Sequence, residues 1–168
     1  MPLSDYKSGT SLLTALLEPA VIALAYPLYQ QFVHVREKII YVLVACTAGV
    51  LVGLITTAFV AAQLTDSTSV IASLIPKSVT TPIAMAISEH IGGIPAITAV
   101  LVIIAGIFGN ICAPYLLHHL KIKTPQAQGL AIGAGSHVIG TSKAMEMSRV
   151  HGAFSTISLL LSAIITAI

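Results

Sequence analysis

The stretch Ser73–His90, SLIPKSVTTPIAMAISEH, decides how this chain is read. Apolar segments lie on both sides of it, yet between Pro76 and Pro82 it carries Lys77, Ser78, Thr80 and Thr81. Pro82 suits the start of a helix, where the amide hydrogen it lacks would be unpaired anyway, and Thr81 before it is a competent N-cap. A half-helix is therefore expected to begin at Pro82, with its free amides and positive dipole end beside an ammonium and hydroxyls. That combination suits a small anion.

The surroundings make the break unusual. Of 168 residues, 56% are hydrophobic and 8% charged, where soluble domains run near a quarter charged. With a mean hydropathy of +0.95, the composition is that of a membrane protein whose first partner is the lipid bilayer. A net charge of +2 without a basic run excludes nucleic acid as a partner. Cys46 and Cys112 each lie within apolar runs and read as small buried hydrophobes. The opening residues, MPLSDYKSGTS, lack the basic-then-apolar layout of a signal peptide. The last apolar run, from Ala153, stops at Ile168, short of the ~20 residues of a span. The chain is therefore expected to be a portion of a longer protein.

Apolar runs cover Leu12–Leu28, Ile39–Leu64, Val70–Ile87, Ile94–Leu117, Gly129–Met147 and Ala153–Ile168, so the expected fold is all-α and polytopic. Ile39–Leu64 and Ile94–Leu117 are unbroken by charge and read as plain spans. The runs from Val70 and Gly129 are interrupted, the second by GAGSH (133–137) and GTSK (140–143). Unwound backbone at membrane depth is tolerated only where protein buries it or it lines a watery cavity. Arg36 with Lys38, and Lys121 with Lys123, place their loops on the cytoplasmic side, and TDSTS (65–69) falls outside. Val70–Ile87 then enters and leaves from outside, and Gly129–Met147 from inside, as re-entrant hairpins; a complete broken crossing of either segment is the alternative.

An internal repeat agrees with this topology. Offset by 60 positions, Ala84, Met85, Ser88, Gly92, Ile97, Leu101 and Ile104 match Ala144, Met145, Ser148, Gly152, Ile157, Leu161 and Ile164. Within one membrane domain over 1–168, the repeat units run from about 70 to 117 and from about 129 to 168. Inverted repeats with discontinuous helices meeting near the bilayer midplane are a recurring plan of secondary transporters.

The candidate substrate-binding residues follow: Lys77, Ser78, Thr80 and Thr81 in the first unit, Ser136, His137, Thr141, Ser142 and Lys143 in the second. Lys77 supplies charge and the hydroxyls orient a carboxylate. His137 is a candidate proton-linked group. Competing readings stand beside these. A lysine in a membrane segment can snorkel to the headgroups, Glu146 lies three residues from Lys143 and can pair with it, and any one hydroxyl can bond back to its own helix. Glu18, Glu89 and Glu146 carry protons or are simply exposed. His34, His90, His118, His119 and His151 sit at segment ends and read as interfacial. No pair has zinc-site spacing, and no cofactor is implied. Gly49 with Gly53, and Gly129 with Gly133, form GxxxG pairs that allow close helix approach within the chain or in a homo-oligomer. Gly133, Gly135 and Gly140 alternatively relieve an unwound turn.

The strings EPAVIALAYPLYQQ, SLIPKSVTTPIAMAISEHIGGIPAI and GLAIGAGSHVIGTSKAMEMSRVHGAFSTI resemble the LrgB/CidB family of bacterial inner-membrane proteins, which includes YohK-type members. The resemblance covers nearly the whole chain, and family members extend further at both ends. It implies one of two functions in a multi-pass protein of the bacterial inner membrane. One is that of a plant plastid relative, a glycolate/glycerate translocator, and suggests a carrier for small monocarboxylates such as glycolate, glycerate or pyruvate. The other is an antiholin-like regulator of murein hydrolase activity and autolysis, working with an LrgA/CidA-type membrane partner. The anion-suited break favours the carrier. An enzyme is the poorest fit, since neither a metal motif nor a nucleophile elbow is present.

Overall fold

The computed structural model describes residues 32–168, together with Pro19, Tyr26 and Tyr29. Glu18 and most of the first apolar run lie outside the described residues. Among those described, the chain forms seven helices and no strand: α1 (Phe32–Glu37), α2 (Ile39–Leu64), α3 (Thr68–Leu74), α4 (Thr81–His90), α5 (Pro95–His119), α6 (Pro125–Met147) and α7 (Arg149–Ala167). Three of them, α2, α5 and α7, are long and apolar enough to cross a membrane. The all-α membrane fold expected from composition is the fold observed.

In α2, 26 residues without a charge or a proline make a rod about 39 Å long at 1.5 Å per residue. Val42, Cys46, Val50 and Ala61 are its buried positions. Val42 and Cys46 pack with Val35 and Phe154, and the Cys46 thiol donates to Ser158 Oγ at 3.3 Å. Residues 42–46 of α2 thus lie beside 154–158 of α7, and these two helices run in the same direction.

The first interrupted segment folds as two short arms. The chain turns over residues 75–80 between α3 and α4. α4 returns antiparallel to α5: Val79 and Ala84 pack on Val102, and the Thr98 and Ser88 hydroxyls are hydrogen-bonded at 2.7 Å. Gly92, at φ +81, makes the reversal between them, a conformation open to glycine at little cost. Ser73 of α3 ties the other arm to the same place, its hydroxyl accepting the Ile94 amide at 2.7 Å and its carbonyl accepting Thr98 Oγ1 at 3.0 Å.

The second segment folds back in the opposite sense. His137, at φ 42 and ψ −138, breaks α6 into two arms. Both arms press on the same stretch of α7. A Cβ added at Gly133 would strike the Ser155 carbonyl, while Thr141 Oγ1 lies 2.9 Å from Ser155 Oγ. Ile132 and Ala144 share a core cluster with Leu117, and a Cβ on Gly140 would sit 3.0 Å from Ile132 Cγ2. In a straight helix, positions 132 and 140 would be about 12 Å apart along the axis, so only a hairpin brings them together. Ser158 Oγ donates to the Leu130 carbonyl at 2.8 Å, as Thr98, 60 positions earlier, does to Ser73. In both units a hydroxyl of the long helix grips the backbone of the first arm.

Four sequence expectations are corrected. The cap of α4 is Thr80, one residue before the expected Thr81, and its side chain makes no capping bond. Thr80 is extended, its carbonyl takes the Ala84 amide at 2.8 Å, and Pro82 at the second position still costs no intrahelical bond. The interruption in α6 is confined to His137: Gly133 and Gly140 are tight packing positions, and neither they nor Gly135 takes a positive φ. The final helix begins at Arg149 rather than Ala153 and has 19 residues, because Ser148 caps it by accepting the His151 amide at 3.3 Å. His151 is accordingly buried rather than interfacial, bridging Ser148 Oγ and Gln128 Oε1 at 2.8 Å each.

Candidate functional site: a cavity at the first helix break

A cavity of about 310 Å³ lies between the first break and the second hairpin. Its walls include Gly49 and Gly53 midway along α2, Lys77 and Ser78 from the turn, and Ala134 and Gly135 just before the bend in α6. Among the described residues Lys77 is the single charged one on them. This volume sits at the low end of the ~300–1,000 Å³ of small-molecule sites.

The Lys77 ammonium is half-buried and donates to Thr57 Oγ1 at 2.7 Å. Thr57 in turn donates its own proton to the Gly53 carbonyl at 2.6 Å, so its lone pairs are turned to the cation. An ammonium has three donors; among the described residues one is used, and Ser78 lies on the same cavity wall. The constellation suits a small anion of one negative charge.

The remaining candidate residues lie elsewhere. Thr80 and Thr81 start α4, half-buried, and do not line this cavity. Ser136 is buried against Gly109 of α5. His137 is buried with its ring on Gly106, and its Nε2 pairs with the Val102 carbonyl at 2.7 Å. Thr141 donates to the His137 carbonyl at 2.8 Å. Ser142 is exposed and bonds back to Val138 O at 3.2 Å. Lys143 pairs with Glu146 at 2.9 Å on an open helix face. The structure therefore brings Lys77 and Ser78 to the cavity and turns Ser136, His137 and Thr141 toward α5 and α7. The second hairpin contributes small side chains and backbone instead.

Thr57, Gly106 and Gly109 were not singled out from sequence, and the two GxxxG pairs were not told apart. Thr57 is hidden within a clean span, although Gly49, Gly53 and Thr57 recur every four residues and so share one helix face. The Gly49–Gly53 pair faces open space among the described residues: a Cβ added to either meets none of their atoms within 4 Å. The second pair, Gly129 and Gly133, packs tightly on α7 within the chain. Gly106 and Gly109 are seats for His137 and Ser136, legible only once the hairpin is placed against α5.

The chain matches the LrgB-like family over residues 1–168. It is 41% identical over 166 residues to the uncharacterized protein YwbG of Bacillus subtilis, covering 99% of this chain and 74% of that one. An uncharacterized protein of Haemophilus influenzae is 37% identical over 168 residues, covering 100% and 73%. A Bacillus cereus relative named antiholin-like protein LrgB is 34% identical over 164 residues, covering 98% and 71%. No solved structure matches the chain. With three helices able to span a bilayer, two hairpins between them and a family match from end to end, this membrane protein belongs to the LrgB-like family.

Proposed function

We propose that the protein is a carrier of small monocarboxylates of the glycolate, glycerate or pyruvate type, multi-pass in the bacterial inner membrane and without enzymatic chemistry of its own. One observation carries the reading: a half-buried ammonium, the single charge on the cavity walls among the described residues, faces a small cavity between the first helix break and the middle of α2 with a hydroxyl beside it. An ionisable residue inside a membrane segment is costly, about 2.5–3.5 kcal/mol at a helix centre. Lys77 has a neutral partner in Thr57 and no acidic side chain within salt-bridge distance among the described residues. A carboxylate in the cavity supplies the missing countercharge. The second hairpin shapes the cavity from the opposite side, and the two units reproduce the discontinuous-helix plan of secondary carriers.

The reading is tested by glycolate binding to the purified full-length protein by calorimetry. Lys77→Gln should weaken binding at least tenfold, since a charge-assisted bond contributes ~1.5–3 kcal/mol, and Lys143→Gln should leave it unchanged. Equal binding by both variants would remove the cavity from the account.

A second reading has a specific support, the name antiholin-like protein LrgB borne by relatives at 34% identity. Regulation of murein hydrolase activity with an LrgA/CidA-type partner, or self-association, would use outward surfaces. The apolar stripe of Val100, Ile104, Ile107, Ile111 and Tyr115 on α5 is exposed enough to serve either. The two readings are compatible if carboxylate flux changes the cell's proton balance and so triggers lysis indirectly.

A further inference from the structure

Among the described residues, one buried side-chain oxygen has no hydrogen-bond partner, the hydroxyl of Ser162 on α7. The residue is 0% exposed. A buried hydroxyl left unpaired is costly, and each such group in a native structure calls for an explanation. A helical serine can donate to the carbonyl four residues back, as Thr166 Oγ1 does to the Ser162 carbonyl at 2.7 Å. Ser162 makes no such bond. Its neighbours tie it to the first break: Ala163 packs on the cluster of Val79, Ala84 and Val102, and Thr166 shares the walls of the 310 Å³ cavity with Lys77 and Ser78.

The 60-residue repeat shows what the equivalent place does in the other unit. Lys77 corresponds to His137, Val102 to Ser162 and Gly106 to Thr166. His137 reaches across to the long helix of the first unit, where its Nε2 pairs with the Val102 carbonyl and its ring lies on Gly106. The symmetric place for the Lys77 side chain is therefore on α7, over Ser162 and Thr166. Instead, the ammonium is on Thr57 of α2, Thr166 holds the Ser162 carbonyl, and the Ser162 hydroxyl is idle. One break residue is docked on the long helix of the opposite unit, and its counterpart is not.

The two places for the ammonium differ in depth. The Cys46–Ser158 bond sets α2 and α7 side by side at an offset of 112 residues, which puts Ser162 and Thr166 level with Val50 and Leu54. Thr57 lies three to seven residues further along α2, about 5–10 Å at 1.5 Å per residue. Lys77 borders both the cavity walled by Val50 and Leu54 and the one walled by Thr57. Its flexible four-carbon stem can serve both levels.

We propose that Ser162 is a positioning residue for Lys77: its hydroxyl is a second seat for the ammonium, which moves between Thr57 and Ser162 along the direction of α2. Docked there, Lys77 supplies the partner that the hydroxyl lacks, and the first unit takes the arrangement the second one shows. Access in inverted repeats alternates as one unit moves against the other, and a cation with seats at two depths passes an anion between the two sides. The seat is independent of the anion's identity; its use in transport rests on the carboxylate reading.

Two measurements on the full-length protein test this. The first is the structure of the Thr57→Val variant, which lacks the observed seat. Its Lys77 ammonium should lie within about 3.2 Å of Ser162 Oγ, and an ammonium found elsewhere would overturn the second seat. The second is uptake of labelled glycolate by proteoliposomes, with glycolate binding followed by calorimetry. Ser162→Ala should leave binding at the Thr57 seat unchanged and lower the maximal uptake rate about tenfold, the effect of losing a bond to a charged group. In a Lys77→Gln background the same substitution should have no further effect, because Ser162 acts through Lys77. Full uptake by Ser162→Ala, or an equal loss in both backgrounds, would overturn the proposal. An ammonium on Ser162 in Thr57→Val, together with no glycolate uptake by the unsubstituted protein, would uphold the seat and refute the carboxylate reading.

Discussion

Replacing Gly133 by alanine should unseat the second hairpin, while the same replacement at Gly135, two residues along, should not. In sequence the two glycines are equivalent halves of one GAG. In the structure a Cβ at Gly133 runs into the Ser155 carbonyl and lies 2.9 Å from the Ser155 carbonyl carbon and Cα, all backbone atoms of α7 that cannot rotate away. Gly135 faces the cavity with nothing within 4 Å. Glycine to alanine inside a helix gains about 1 kcal/mol from propensity alone, and overpacking costs about 1–3 kcal/mol. With backbone as the obstacle the upper figure applies, leaving Gly133→Ala destabilised by about 2 kcal/mol and Gly135→Ala stabilised by up to about 1 kcal/mol. The gap of about 3 kcal/mol is roughly a hundredfold in the folded-to-unfolded ratio. Thermal unfolding of the two variants in detergent, followed by size-exclusion recovery, reads it. Equal stability would refute the parallel seating of the first arm of α6 on α7, and with it the hairpin.

Further predictions follow from the same geometry. Thr141→Val keeps the shape but leaves Ser155 Oγ and the His137 carbonyl without their partner, which should cost ~1–3 kcal/mol in the same unfolding assay. His137→Val should cost at least about 2 kcal/mol, since it forces a β-branched residue into positive φ and strips the Val102 carbonyl of its bond; His137→Asn, better tolerated at positive φ, should be milder. Lys143→Ala removes an exposed ion pair and should change stability by no more than ~1 kcal/mol. Thr57→Val should weaken glycolate binding less than Lys77→Gln does, and Thr57→Ser should restore it; calorimetry distinguishes the three.

Much of the architecture was legible because membrane burial imposes strong patterns. The plain spans at Ile39 and Ile94 declare themselves by length, and the breaks by Pro76, Lys77 and Pro82 or by the glycines around His137. At the 60-residue offset read from sequence, the structure sets two hydroxyls, Thr98 and Ser158, on the backbone of the first arms. The sequence could not reveal direction. Ser136, His137 and Thr141 are polar residues beside a break, the same signature as Lys77 and Ser78, yet His137 and Thr141 bond to backbone carbonyls and Ser155 while Ser136 packs on Gly109. Which way they turn depends on Gly106 and Gly109 being empty enough to receive them, a property of a helix about 30 residues earlier in the chain. The two GxxxG pairs were likewise indistinguishable until α7, packed on Gly129 and Gly133, marked that pair as the packing one.

The central claim is that Lys77 holds a carboxylate on its way across the membrane. Uptake of labelled glycolate by proteoliposomes containing the full-length protein, with and without an imposed proton gradient, tests it most directly. The account predicts saturable uptake that persists in Lys143→Gln and requires a substantially higher glycolate concentration in Lys77→Gln. Absence of uptake by folded, correctly inserted protein, or uptake indifferent to Lys77, would contradict it.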